Sequence, residues 1–302
     1  MKLDKTPTLL SFALLLGSVP AFAGTPINES RTVDATARID ISNVRGSVTV
    51  SAWDQDKVEI TGTLGSGSKG LSVTGGGSRL DIKVEGPEKS GWFDWGSSSR
   101  MEDSILDIRV PRGAELTVET VSAEISVTGT GGPRLDVSSV SGKIRLDSVA
   151  EELEVGSISG TIELAGAGKR AHVDTVSGDI EVRANRERMK LETVSGNISA
   201  TSDGYREFSG SSVSGDILLR GKPVTDARLD AETMSGDVGV DLPADVSARI
   251  EAETFSGRIR SDFGTVEEPE HGPGRSLDAT VGDGNARVNI ETFSGDITIR
   301  HD

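Results

Sequence analysis

The sequence predicts an all-β fold, a single-stranded parallel β-helix (β-solenoid) with about 18–21 residues per turn. Three observations predict it: a recurring motif close to Thr-Val-Ser-Gly-Asp-Ile, alternation of apolar and polar residues between its copies, and few aromatic residues beside 37 glycines. A fixed period near twenty residues is typical of repeat proteins, in which one unit cannot bury its apolar face without its neighbours.

The motif recurs at a nearly constant spacing through the second half of the chain. Its serines are Ser141, Ser159, Ser177, Ser195, Ser214, Ser235, Ser256 and Ser294, with gaps of 18, 18, 18, 19, 21, 21 and 38. A degenerate copy places Ser122 nineteen residues before Ser141. The last gap is close to two periods, and part of it reads as a loop.

Each copy of the motif separates two predicted strands. Alternation of period two before and after the Ser-Gly pair indicates strands with one buried face. We expect Gly to supply the corner, because it adopts backbone angles that other residues avoid. On this reasoning Gly178→Val or Gly196→Val would destabilise the fold by about 1–3 kcal/mol.

Stacked turns would align the motif into columns of equivalent residues. The apolar position forms one column: Val121, Val140, Ile158, Val176, Val194, Val213, Met234, Phe255 and Phe293. A Ser/Thr column precedes it. If the chain bends at Ser-Gly, the apolar column points inward, which is the interpretation we favour. If the strand runs straight through the motif, the column becomes an exposed apolar stripe that could dock a partner.

The mature chain reads as one β-helix domain over residues 24–302. Residues 113–302 hold the regular repeats, and residues 30–112 are irregular N-terminal turns or a cap, since solenoid ends need a closing unit. Two inserts read as loops, at 86–103 and at 262–276.

Residues 1–23 read as a signal peptide. Lys2 and Lys5 precede an apolar stretch, and Ala21-Phe22-Ala23 is a small-x-small cleavage site. We therefore expect export to the periplasm or cell surface, with no membrane span in the mature chain. Removing this segment, which carries a net charge of +1, changes the formal charge from −16 to −17. A charge of that sign disfavours nucleic acid as a partner.

Three segments of the chain resemble the bacterial putative-adhesin family, which consists of exported β-helix proteins of unknown biochemical role. They are "SAWDQDKVEITG", "DIRVPRGAELTVETVSAEISV" and the repeated "TVSGDI". The resemblance covers roughly residues 36–300 and implies the fold. It brings no catalytic residues with it.

No catalytic constellation or cofactor motif emerges from the sequence. His172, His271 and His301 are far apart and read as surface residues, and no nucleophile motif accompanies the serines. Corner aspartates recur at Asp179, Asp216, Asp237 and Asp296. Stacked carboxylates could bind calcium, but turn capping explains them better, because Lys143, Thr161 and Arg258 take the same position. We expect no metal and no cofactor.

One aromatic cluster, Trp92, Phe93 and Trp95, lies in the first loop. Exposed rings bind sugars or protein partners, whereas a loop that folds back would use them to plug an end of the helix. These three residues are the candidate ligand-binding site.

We therefore expect a non-enzymatic, exported scaffold or binding surface of the cell envelope, with an unknown envelope protein or glycan as its partner. The alternative is a carbohydrate-active enzyme, like a polysaccharide lyase or hydrolase, which would gather Asp or Glu with Lys or Arg on one face. The sequence shows no such patch. An ice-binding Thr face ranks last, since the pair here is T-x-S at a corner.

Overall fold

The computed structural model describes residues 24–86, 101–268 and 273–302, and its regular structure is entirely β. All twenty strands belong to one hydrogen-bonded sheet, and the described residues contain no helix. The prediction of an all-β fold is confirmed. The strands are β1 (Thr25–Trp53), β2 (Lys57–Leu64), β3 (Gly70–Glu85), β4 (Ser104–Pro111), β5 (Glu115–Thr128), β6 (Arg134–Ser141), β7 (Ile144–Ser148), β8 (Glu152–Ser159), β9 (Ile162–Ser177), β10 (Ile180–Ser195), β11 (Ile198–Thr201), β12 (Tyr205–Ser214), β13 (Ile217–Arg220), β14 (Pro223–Ser235), β15 (Val238–Leu242), β16 (Ala248–Ser256), β17 (Ile259–Ser261), β18 (Arg275–Val281), β19 (Ala286–Ser294) and β20 (Ile297–His301).

The repeating unit is a strand, a Ser-Gly corner and a second strand, which together we call a rung. Strand β10 ends at Ser195, the corner follows, and β11 begins at Ile198. Neighbouring rungs pair in parallel with equivalent residues in register, so that Thr193 lies beside Ser212 and Ile198 beside Ile217. The spacing seen in the sequence is therefore the register of the stack.

The rungs stack in chain order through the middle of the molecule but not at its ends. Consecutive pairing holds from residues 115–128 to residues 228–242. At the C-terminal end the last rung, 286–301, lies between rungs 228–242 and 248–261. At the N-terminal end residues 38–53 lie between residues 115–128 and strands β3 and β4. The consecutive winding expected of a single-stranded β-helix is therefore broken at both ends.

At each end of the stack an antiparallel strand covers one of the outermost parallel strands. Strand β2 pairs antiparallel with β4 at one end, and β18 pairs antiparallel with β16 at the other. An open parallel edge would present a row of unpaired backbone groups to other chains. The antiparallel strands therefore close part of each edge of the stack.

The core lies between the two strands of each rung and consists mainly of Val, Ile, Leu and Ala. Aromatic residues contribute little to it, with Tyr205 and Phe208 in edge-to-face contact at 5.3 Å. A buried Arg186 fills one bend, where its guanidinium donates to the carbonyls of Ser148, Ala150 and Arg170. Burial without a carboxylate partner lowers the pKa of Arg186 to about 10.

The favoured interpretation of the corner was wrong, because its polar residues point inward and its apolar residues point outward. The inner column is 2–8% exposed and comprises Asn43, Thr120, Ser139, Ser157, Thr175, Thr193, Ser212, Thr233, Thr292 and Thr254. The apolar residue that follows each of them is 37–62% exposed. The physical reason is that the first strand runs straight through to the serine, so adjacent residues face opposite sides.

The corner glycines are required for close backbone approach, and at most positions not for an unusual angle. A Cβ atom on Gly178 would lie 2.2 Å from the carbonyl oxygen of Gly160, and one on Gly196 would lie 2.0 Å from that of Gly178. Neither glycine has a φ in the left-handed range, whereas Gly142 does, at +130°. The conformational reason expected from the sequence is therefore wrong for Gly178 and Gly196, although the need for glycine stands.

Candidate binding surface

A continuous apolar stripe runs along the outside of the corners. In stacking order its members are Val44, Val121, Val140, Ile158, Val176, Val194, Val213, Met234, Phe293 and Phe255. Nine steps of roughly 4.8 Å make it about 43 Å long. Apolar residues scattered singly over a surface are ordinary, whereas a contiguous row of this length makes the stripe a candidate binding surface.

The other positions of the motif have structural explanations, beginning with the inner hydroxyl. Thr254 donates from its Oγ1 to the carbonyl of Gly295 at 3.0 Å, and Thr233 donates to Gly215 at 3.2 Å. Each acceptor is the corner glycine of the adjacent rung. Thr193, Ser212 and Thr292 make the same bond. Since a buried carbonyl needs a donor, the hydroxyl explains why the inner position is Thr or Ser in these rungs.

The corner aspartates also hold neighbouring rungs together. The carboxylate of Asp237 accepts the backbone N–H of Asp296 at 2.8 Å, and that of Asp296 accepts the N–H of Arg258 at 2.9 Å. Asn197 makes the same bond to the N–H of Asp216. The expectation that each aspartate caps its own turn was wrong in this detail, because the accepted N–H belongs to the next rung.

The apolar position is therefore the part of the motif that inward packing leaves unexplained. Its side chains are 37–62% exposed and none is among the buried core residues. Contacts between stripe neighbours contribute some stability, as cross-strand pairs do. A polar residue with high β-propensity, such as Thr, would suit this solvent-facing position as well as Val does. The fold itself therefore does not require an apolar residue here.

The stripe changes character at its C-terminal end, where valine gives way to larger side chains. Met234, Phe293 and Phe255 follow one another in adjacent rungs. The two phenyl rings stack with centroids 4.8 Å apart and planes 7° from parallel. Sequence reasoning placed both phenylalanines in one column but did not identify an exposed cluster, because it favoured an inward direction for that column.

The large side chains form the floor of a groove of about 820 Å³. One wall is the outer face of the first strands, and the other consists of residues 267–268 and 273–276. These residues belong to the insert predicted as a loop. Two backbone hydrogen bonds join Glu267 to Ser276, and Ser276 pairs with Glu253, so the wall is attached to the stack next to Phe255.

Carboxylates dominate the rim of the groove. Its lining includes Glu232, Glu253, Glu267, Glu268 and Glu291, with Arg275 as the basic residue. Arg275 donates to Glu268 at 2.7 Å and to the carbonyl of Gly257. Glu232, Glu291 and Glu253 stand in register on three adjacent rungs, an arrangement in which like charges repel.

A second face carries charges of both signs, contrary to the sequence analysis, which found no such patch. A groove of about 550 Å³ lies there among acidic and basic side chains of six rungs. Ion pairs cross it, including Arg134 with Glu154 at 2.5 Å and Arg170 with Glu152 at 3.1 Å. The patch was missed because each rung contributes only two or three of its members, and the rungs are about eighteen or more residues apart in the sequence.

Some of the predicted site residues lie in the described parts of the chain, and others lie outside them. Trp92, Phe93 and Trp95 lie outside the described residues, as does His271. His172 is half-buried on the charged face, with Nε2 3.1 Å from Glu192, and His301 is exposed against Phe263. Hydrogen bonds from Lys190 and His172 lower the pKa of Glu192.

No group of three or more His, Cys, Asp or Glu side chains within residues 24–86, 101–268 and 273–302 could hold a metal ion. Across the same ranges, no helix has the length and apolar character that a membrane crossing needs.

The chain is similar to several solved structures, of which the first supports the fold. A putative adhesin from Parabacteroides merdae matches with a TM-score of 0.57 and 12% identity, over 93% of this chain and 97% of that one. A putative adhesin from Bacteroides fragilis gives 0.41 and 13%, over 92% and 97%. A putative lipid binding protein from Parabacteroides distasonis gives 0.46 and 13%, over 91% and 97%. At these identities the likeness shows the fold alone.

The resemblance to the putative-adhesin family that the sequence indicated is confirmed. No curated protein matches the chain. A family model does match, over residues 36–300, which include the stacked rungs, the apolar stripe and the groove. The chain therefore belongs to the Toastrack DUF4097 family.

Proposed function

We propose that this protein is a non-enzymatic binding module of the cell envelope, in which a rigid β-helical stack presents the apolar stripe to a partner. The observation that carries the proposal is the stripe itself, with ten apolar side chains in register at a position that faces solvent. In a protein of net charge −16, we expect a bound partner to cover a long exposed apolar row.

The rigid stack favours binding through a fixed surface. Consecutive rungs share backbone hydrogen bonds, inner hydroxyl bonds and carboxylate bonds to the next rung. A preorganised surface loses little conformational freedom when a partner binds. The two ends of the stripe differ, because its side chains increase in size from valine to phenylalanine. A partner would therefore bind in one orientation.

The proposal includes export. Residues 1–23 have the composition of a signal peptide, and the structural relative from Parabacteroides merdae is described as a putative adhesin. Periplasm and cell surface are both consistent with these observations. Fractionation of cells that produce the tagged protein, with N-terminal sequencing of the product, tests this part, and an uncleaved cytoplasmic product would contradict it.

The binding experiment compares stripe variants with a matched control. The triple variant Val140→Thr, Val176→Thr, Val194→Thr keeps side-chain volume and removes apolar surface. The control is Val149→Thr, because Val149 is also an exposed valine but lies off the stripe. Immobilised parent and variants are incubated with envelope extract, and retained components are quantified. We expect the triple variant to lose retention that the control keeps, and equal retention by both would overturn the proposal.

The charged face supports a second candidate, a carbohydrate-active enzyme. It gathers carboxylates, Arg and Lys on adjacent rungs, as such enzymes do. Two carboxylates about 5–10 Å apart, one of them with a raised pKa, would serve glycoside hydrolysis. On this face the pKa of Glu192 is lowered, which is opposite to what a general acid needs. Reducing-end assays on a polysaccharide panel test this candidate, and turnover lost in Glu154→Gln would favour it.

A further inference from the structure

We propose that the groove at the C-terminal end of the stripe binds a cationic, amphipathic polypeptide segment. This inference rests on the proposed function and specifies the chemistry of the partner. Such a segment would lay apolar side chains on Met234, Phe293 and Phe255 and bring Lys or Arg to the glutamates of the rim.

The floor of the groove provides the apolar part of this recognition. Met234, Phe293 and Phe255 are 50–62% exposed, and the stacked rings offer one continuous surface. Large aromatic side chains in a concave site are where binding energy concentrates at protein interfaces. The flexible thioether of Met adapts to partners of different shape.

The rim determines the sign of the partner's charge. Five glutamates and one arginine line the groove, and Arg275 is already bonded to Glu268. Among the described residues, Glu232 and Glu253 form no ion pair. A cation placed between these aligned carboxylates would relieve their mutual repulsion and gain attraction from each.

The same charges disfavour two other occupants. A second copy of this chain would bring another acidic rim against the first, and both copies carry a net charge of −16. An anionic membrane surface would be repelled in the same way. A polypeptide also suits the length of the site, because the groove opens onto a stripe about 43 Å long.

The wall beside Phe255 is held in place before any partner binds. Glu267 and Ser276 exchange two backbone hydrogen bonds, of 2.8 and 3.1 Å. Arg275 ties the wall to the corner of the neighbouring rung through the carbonyl of Gly257. The groove therefore has one preformed wall beside the stacked phenylalanines.

Three labelled synthetic peptides test the inference by fluorescence anisotropy with residues 24–302. One alternates Leu and Lys, one alternates Leu and Glu, and one alternates Ser and Lys. We expect the Leu-Lys peptide to bind at least tenfold more tightly than either of the others. If the Ser-Lys peptide bound as tightly as the Leu-Lys peptide, charge attraction alone would explain binding, and the inference would be overturned. Tighter binding of the Leu-Glu peptide than of the Leu-Lys peptide would also overturn it.

Variants then locate the site. Glu232→Gln with Glu253→Gln should weaken Leu-Lys binding roughly threefold to tenfold and flatten its salt dependence. Glu124→Gln with Glu181→Gln is the control, because it removes the same charge from exposed positions outside the groove. Equal weakening by the two pairs would contradict the site. Phe255→Thr with Phe293→Thr should abolish binding while a thermal melt confirms folding.

Other outcomes identify a different occupant. Phe-dependent binding to phosphatidylcholine vesicles without peptide binding would indicate a lipid surface, and concentration-dependent dimers lost in the Phe variant would indicate a second copy. Either result overturns this inference. The proposed function fails separately, through the stripe variant at positions 140, 176 and 194, because those residues do not line the groove.

Discussion

Thr193 and Val194 are neighbours in the chain, yet they lie on opposite sides of the same corner. Thr193 is 5% exposed and donates its hydroxyl to Gly178, whereas Val194 is 47% exposed. The same contrast recurs in every rung of the repeat. The contrast shows that the inner side of a tight corner is polar, because it faces backbone carbonyls. The residue on the outer side is not needed for packing and can therefore form a binding surface.

The contrast can be tested by perturbing each side of the corner in turn. Substitutions on the inner side should reduce stability and leave binding to the folded fraction unchanged. Substitutions on the outer side should do the opposite. The four predictions below run from the largest expected loss of stability to the smallest.

Gly196→Val should have the largest effect, about 3 kcal/mol or more in the free energy of unfolding. A Cβ atom there would lie 2.0 Å from the carbonyl oxygen of Gly178, so two rungs would have to separate. Chemical denaturation measures the loss. Gly156→Val is the control, since a Cβ there meets only ordinary contacts, the nearest at 3.6 Å. Equal stability of the two variants would show that the rungs are not in close contact at the glycines.

Thr254→Val should cost about 1 kcal/mol, because it removes a hydroxyl that serves a buried carbonyl. Thr254 is bonded to Gly295 at 3.0 Å. Thr175 occupies the same column, but among the described residues its buried Oγ1 has no hydrogen-bond partner. Thr175→Val should therefore be neutral or stabilising. The difference between the two denaturation midpoints is the measurement, and the opposite order would contradict the role of the hydroxyl.

The sequence was sufficient for the repeat, the strands and the register, because alternation and spacing are local. It was not sufficient for the direction of the corner, since bent and straight paths through Thr-Val-Ser differ only in tertiary packing. The sequence also did not show that rung 286–301 lies between rungs 228–242 and 248–261. Rungs 248–261 and 286–301 carry nearly the same motif, so either could follow 228–242.

The groove shows the same limit. Phe255 and Phe293 were assigned to one column from the sequence, but burial seemed the natural state for large apolar residues. The glutamates of the rim are ordinary outward residues of alternating strands. They indicate a negatively charged site only once the stack is known to align Glu232, Glu291 and Glu253 beside the phenylalanines.

Asp296 should make stability depend on pH in acid. Hydrogen bonds from the backbone N–H and the guanidinium of Arg258 lower the pKa of Asp296. A carboxyl whose folded-state pKa lies below its unfolded value contributes stability above the unfolded pKa, and this is lost as pH falls through the folded pKa. Asn can still accept the N–H, as Asn197 does. Asp296→Asn should therefore lose less stability than the parent below about pH 4, and Asp283→Asn should behave like the parent in the same melts.

The smallest effect on stability should come from Val194→Thr, on the outer side of the corner. Threonine has nearly the same shape and a high β-propensity, and the side chain is already half in water. We expect a change within about 0.5 kcal/mol, as for other surface substitutions. Val149→Thr, at an exposed position off the stripe, should change stability as little, so thermal melts alone would not separate the two. Binding would separate them, because loss of apolar surface weakens a partner's contact only where that contact is made. If Val194→Thr destabilised the protein as much as Thr254→Val does, the stripe would be part of the packing, and its apolar residues would no longer indicate a binding surface.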